Sequence, residues 1–307
     1  MKVLRVAKAR VTYPTGDKSF AVMQAFPAGI PAVEADPFLM CDHFGPSEQT
    51  TPAETDPDVF PIGWHPHRGM DICTYLKSGV GRHADSLGNR GNFHTPGMQW
   101  ISVGSGIEHA EGGGTPMGMI NEGFQLWFNV PSSRKMDDPV YGTEDPNSIP
   151  LVTLAPGAKA RLLSGPLCGS TGPFKTIVPI QMMDLEMEKG SKTSIDIPPE
   201  YDNTLIYVYN GKGLVQNTGV EKFAVLRFDG TTSERVIEVK ADEAHGLSLM
   251  IFSGKMIKEQ IAWHGPFVMN TNPEIQETIR EYQRGEFPPV RAKWDYKKWN
   301  QFPPDKK

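Results

Sequence analysis

The stretch Gly63-Trp64-His65-Pro66-His67-Arg68-Gly69, answered further along by Gly106-Ile107-Glu108-His109-Ala110-Glu111, decides how this chain is read. Residues two apart on a strand point to the same face. His65 with His67, and His109 with Glu111, therefore each aim two ligand-type side chains at one point. Two such strands set side by side in a barrel bring three imidazoles and one carboxylate together. That donor set suits a divalent first-row metal such as Fe, Mn, Ni or Zn, rather than Ca or Mg. The competing reading is a surface loop with two histidines beside a proline turn. Three features weigh against it: the second aligned pair, the surrounding Gly104, Gly106 and Gly112 to Gly114, which let backbone approach closely, and the clustering of five of the eight histidines between His65 and His109. Pro66 lacks an N–H, so its strand starts at an edge or a bulge, where side chains are commonly re-aimed. Four protein ligands on zinc would make a saturated structural site. An octahedral Fe(II) or Mn(II) would keep two positions free for substrate and oxygen.

Around this core the strand signals dominate. Ile72 to Leu76, Gln99 to Val103, Phe124 to Val130, Thr204 to Tyr209, Phe223 to Phe228 and Leu247 to Phe252 are short, β-branched or aromatic runs near Gly, Pro, Asn or Asp. Gly 31 and Pro 27 make about 19% of the chain against an average near 12%, as many strands joined by tight turns require. The spacing fits sandwiches or barrels, not βαβ units. Tyr75-Leu76-Lys77-Ser78-Gly79-Val80-Gly81 is echoed by Tyr207-Val208-Tyr209-Asn210-Gly211-Lys212-Gly213, as two barrels of similar design would produce. No His-x-His precedes the second copy, so one half alone is expected to hold metal. Its barrel should be filled by apolar side chains, because an uncompensated imidazole or carboxylate there would be costly. The expected partition is 1–136 metal-binding domain, 137–156 Pro-rich linker, 157–271 second domain, and 272–307 helix and tail. In the helix, Asn272 is expected as N-cap, Pro273 at the first position and Gly285 at the close, with Ile275, Ile279 and Tyr282 as its apolar stripe.

Composition narrows the classes. At 307 residues, 38% hydrophobic and 22% charged, the chain can bury ordinary cores. A net charge of -5 gives no whole-protein reason to expect direct nucleic-acid binding. Cys41, Cys73 and Cys168 show no CxxC spacing, which points to a reducing compartment. Charges interrupt the N-terminal apolar residues, and no run reaches transmembrane length. A monomer free of membranes is the expectation, located in the cytoplasm or shared between cytoplasm and nucleus. No phosphate loop, nucleophile elbow or Cys–His pair is visible. His43 and His83 lack ligand spacing and read as structural, His94 as an exposed turn residue, and Met182, Met183 and Met187 as core filler. The tail from Val290 carries Trp294, Tyr296, Trp299 and Phe302 among basic residues. It reads better as a strap on a barrel, with lysines in water, than as a nucleic-acid or partner surface.

These motifs carry a resemblance. DPFLMCDHFGP at 36–46, HPHRG at 65–69, HADSLGNRG at 83–91, PGMQW at 96–100, GSGIEHAE at 104–111 and QLWFNVP at 125–131 resemble the pirin family of the cupin superfamily. PFVMNTNPEI and EYQRGEF resemble that family's closing segment, and the likeness runs to about residue 287. It implies an all-β bicupin of two double-stranded β-helix barrels with a short C-terminal helix, and metal only in the first. By the same resemblance the ligands are His65, His67, His109 and Glu111, and the metal is Fe(II), with Mn, Co, Ni or Zn as alternatives. Two functions are implied. One is a flavonol 2,3-dioxygenase of quercetinase type, taking a flavonol-like enol and dioxygen, with Glu111 as ligand and catalytic base. The other is an iron-sensing nuclear co-regulator that binds transcription factors. Met70-Asp71 departs from the family's usual Phe-Glu, which makes Asp71 a candidate either to hydrogen-bond a metal ligand or to serve as an alternative ligand itself. The tail beyond Val290 lies outside the resemblance.

Overall fold

A computed structural model describes residues 1–18 and 20–306. Strands take 50% of the chain and helix 9%, so the all-β expectation holds. Contacts divide the chain into two compact units: Met1–His43 with Asn147–Lys258, and Phe44–Pro146 with Glu259–Lys307. The sequential partition expected above is corrected by this interleaving. Lys2–Lys8 pairs with Ala224–Asp229 rather than with its sequence neighbours. Strands Ala262–His264 and Phe267–Met269 and the helix Asn272–Gln283 belong with the unit that carries the histidine pairs. Nor is 137–156 a linker. Val140–Glu144 is the edge strand beside Met98–Ser102, and Leu151–Ala155 pairs with Ala158–Leu167. Pro139, Pro146, Pro150 and Pro156 flank these strands without entering them, where their missing N–H groups break no ladder.

The first unit is built on a sheet in the order Lys2–Lys8, Ala224–Asp229, Asn203–Val215, Leu247–Gly254, Ile180–Met187, Ala158–Leu167, Leu151–Ala155. Alternation sorts its side chains. Ile206 and Val208 enter an aliphatic cluster with Met183, Leu185, Leu226, Leu249 and Ile251, and Tyr207 and Tyr209 take the opposite face. Each such aliphatic chain contributes roughly 1.5–3 kcal/mol on leaving water. Together these side chains form the hydrophobic core of this unit. Met182, on the other face, is equally buried. His43 is buried in this unit with its Nδ1 3.3 Å from the Tyr207 hydroxyl, a structural histidine.

The second unit has two strand sets. One runs Val140–Glu144, Met98–Ser102, Met70–Ser78, Ile120–Asn129; the other runs Ile62–His67, Ile107–Glu111, Val80–Asp85, Arg90–His94. The helix starts one residue earlier than expected. Its N-cap is Thr271, which forms a reciprocal capping box with Glu274. Gly285 closes it at φ +73°, the left-handed conformation glycine adopts without penalty. Ile275 is buried against Phe267, Met269 and Phe287, with Ile279 packed beside them, and Tyr282 stays 41% exposed. The stripe is narrower than its spacing suggested. Among the described residues no helix is long and apolar enough to cross a membrane.

Candidate metal centre

Strands Ile62–His67 and Ile107–Glu111 pair antiparallel, with His65 opposite His109 and His67 opposite Ile107. One face therefore carries three imidazoles, whose ligand atoms all lie within 4.8 Å of one another. Ring centroids are 4.3 Å apart for His65 and His109, and 4.9 Å for His67 with either. His65 Nδ1 donates to the Gly63 carbonyl at 2.7 Å, which fixes its tautomer and leaves Nε2 as the free lone pair. Neither ring nitrogen of His67 or of His109 has a hydrogen-bond partner, although both residues are buried. A buried unsatisfied polar atom costs about 1–3 kcal/mol, and an ion taking one nitrogen from each ring would relieve part of that cost. Burial first, then the neighbouring imidazoles, hold His67 and His109 well below the usual histidine pKa. Neutral imidazole is the form that binds metal. The donor set fits a first-row divalent ion.

Glu111 stands outside that group of three. A register shift after His109 sets it opposite Ile62, and side-chain amides face both its oxygens. Gln99 Nε2 donates to Oε2 at 3.2 Å and Gln125 Nε2 to Oε1 at 3.3 Å. Thr74 closes the ring, accepting from Gln99 at 3.2 Å and donating to Gln125 Oε1 at 2.5 Å. The expectation for Asp71 is corrected. Thr74 and Ile72 share the strand face turned to this centre, so Asp71 lies on the other face. There its carboxylate accepts from Ser102 Oγ at 2.9 Å. Cys73 shares that outer face and is a buried core thiol, pushed up by burial.

Several contributors escaped sequence reasoning. His83 is fully buried, 5.5 Å from the His109 ring, with Nε2 3.0 Å from Asp85 Oδ2 and Tyr141 stacked on it at 4.3 Å. It is hydrogen-bonded, as expected, yet it borders the centre. Burial, then Asp85 and Glu111, raise the Tyr141 hydroxyl well above its ordinary range, so it stays protonated. Trp127 meets His67 edge-on at 5.1 Å and contacts Trp263 at 5.7 Å. The available signal was a glutamine flanked by apolar residues in each of two strands, because a buried polar group demands a partner. His94 is exposed, as expected. His264 belongs to this unit rather than to the other barrel, but it is exposed and outside the ligand group.

The strand after the ligands is anchored from behind. The buried Arg68 donates to Ser105 O at 2.7 Å, Thr278 Oγ1 at 2.9 Å and Glu281 Oε2 at 2.6 Å, and lies over the Phe287 ring. Lys135 Nζ, also buried, donates to Gly69 O, Asn129 Oδ1 and Val268 O.

The chain is similar to known proteins. The family model described as Pirin matches residues 19–128, and that of the Pirin C-terminal cupin domain matches 182–288. A pirin-like protein of Caulobacter vibrioides is 32% identical over 93% of this chain and 98% of its own. A Vibrio cholerae relative, provisionally named a quercetin 2,3-dioxygenase, is 32% identical over 89% of this chain and 94% of its own. The crystal structure of a quercetin 2,3-dioxygenase from Acinetobacter baumannii superposes with a TM-score of 0.83 at 29% identity, covering 94% of this chain and 98% of that one.

Proposed function

The chain belongs to the pirin family, and from that premise we propose that it is a metal-dependent dioxygenase of quercetinase type. It would open the heterocycle of a flavonol-like enol with dioxygen and release carbon monoxide. The observation that carries this reading is the group of three imidazoles, two of them buried with unsatisfied ring nitrogens, beside an amide-held carboxylate.

His65, His67 and His109 would hold the ion, Fe(II) in this proposal. When bound, the ion supplies Lewis acidity toward the enol oxygen and electrons for dioxygen chemistry. In this proposal Glu111 would accept the substrate hydroxyl proton, its two oxygens hydrogen-bonded by Gln99 and Gln125. Trp127, edge-on to His67, and Trp263, tilted 37° to Trp127, put aromatic rings at the His67 side, where an aromatic substrate would find apolar contacts. Tyr141, protonated and half-buried, offers a donor on the His83 side. Glu111 as a metal ligand remains part of the proposal, reached by its carboxylate turning from the glutamines.

The test is metal analysis of the purified protein combined with aerobic incubation with quercetin. Loss of visible absorbance with stoichiometric carbon monoxide supports the reading. No turnover after loading with Fe, Mn, Co or Ni refutes it.

A further inference from the structure

The ligand strands have an outer face, and one segment of the chain covers it. Trp64 precedes His65 and Glu108 precedes His109, so by alternation both point away from the metal side. Tyr296 packs on Trp64 with ring centroids 5.4 Å apart, and its hydroxyl donates to Glu108 Oε2 at 2.5 Å. Lys297 Nζ lies 3.2 Å from the same oxygen and 5.6 Å from the Trp64 ring. Glu108 is only 6% exposed and Tyr296 8%, so these contacts are made largely out of water. The segment is fastened on either side. Ala292 N donates to Ser86 O at 2.7 Å, and Trp294 lies against Gly88, where a Cβ would come within 2.5 Å of its ring. Trp299 N donates to Asp58 Oδ1 at 2.7 Å, and Arg90 sits over the rings of Trp299 and Phe302 while donating to Tyr296 O. The family match stops at residue 288, so this covering is built from residues outside the shared domains.

We infer that Tyr296 and Lys297 are positioning residues for the metal centre, cross-bracing the outer faces of the two ligand strands through Trp64 and Glu108. His65 and His109 stand opposite each other across that strand pair. Their spacing depends on a two-strand register that a bulge interrupts just beyond His109. A bulged pair slides or opens more easily than a regular ladder, and a contact to Trp64 and Glu108 together resists both motions. Preorganised ligands release metal more slowly than ligands free to move apart. The inference rests on the metal reading above, and one arm of its test does not.

In the Co(II)-loaded full chain, Tyr296→Phe is expected to speed Co(II) release to excess chelator about tenfold, with the unfolding midpoint of the metal-free protein little changed. Lys293→Ala, an exposed change in the same segment, should leave release unaltered. Amide exchange in the metal-free Tyr296→Phe protein should quicken at 62–67 and 107–111. Release within twofold of the parent overturns the brace even if the midpoint falls, because the segment would then only stabilise the fold. Faster exchange confined to 289–306 also overturns it. If the parent protein retains no Co(II), the metal reading fails, and the exchange measurement alone decides whether the strands are braced.

Discussion

Arg68→Met tests whether the HPHRG arginine anchors the metal strand to the helix. The substitution keeps the apolar stem and removes a guanidinium that is 3% exposed. Three acceptors lose their donor: the Ser105 carbonyl, the Thr278 hydroxyl and the Glu281 carboxylate. Breaking a buried ion pair from one side costs about 3–5 kcal/mol. Glu281 is 28% exposed, so water rehydrates part of its charge. The Thr278 hydroxyl also has its own acceptor in Glu274 O at 2.9 Å. The lower end, about 3 kcal/mol, is therefore expected. The assay is urea unfolding of the metal-free protein, followed by tryptophan fluorescence and amide exchange. Glu281→Gln keeps an acceptor for Arg68 Nη2 and should cost about 1 kcal/mol. A loss below about 1 kcal/mol for Arg68→Met, or equal losses for the two variants, would refute the anchor. The first result would mean the helix is held by Ile275 and Phe287 packing alone. The second would mean that the Glu281 contact, not burial of the guanidinium, sets the energy.

Other outcomes follow from the same geometry. His65→Ala, His67→Ala and His109→Ala should each abolish tight metal binding, while the exposed His264→Ala and His245→Ala keep one metal per chain by elemental analysis. A stoichiometry near two would place a second site in the other unit. Gln125→Leu removes one amide from Glu111 and should lower quercetin turnover about tenfold or more at unchanged metal content, read by kcat with metal analysis. An unchanged kcat would remove the glutamines from the chemistry. Burial raises the Asp42 carboxyl to about 6 against the opposing hydrogen bond from Gln24. A raised carboxyl pKa means that its contribution is fully present below pH 3.8 and is lost as pH rises through about 6. Asp42→Asn should therefore add up to about 3 kcal/mol above that pH and nothing near pH 3.5. A pH-independent gain would show that Asp42 is not the titrating group.

The residue pattern alone determined the parts of this protein that depend on short-range periodicity. A two-residue repeat requires that His65 with His67, and His109 with Glu111, each share a strand face. β-branched and aromatic runs between glycines and prolines require many short strands. Tertiary structure decided what depends on partners distant in sequence. Lys2–Lys8 finds its partner at Ala224–Asp229, and no local pattern encodes a pairing at that separation. The same holds for the return of the C-terminal helix to Arg68 and of Tyr296 to Glu108. Strand parity assigned Asp71 to the outer face once its pairing with Ser102 and Phe128 was set. The ring of Gln99, Thr74 and Gln125 around Glu111 joins four strands, so it exists only when the barrel closes. Faces are written in the local alternation of residues; which faces meet is settled only by the packing of the whole chain.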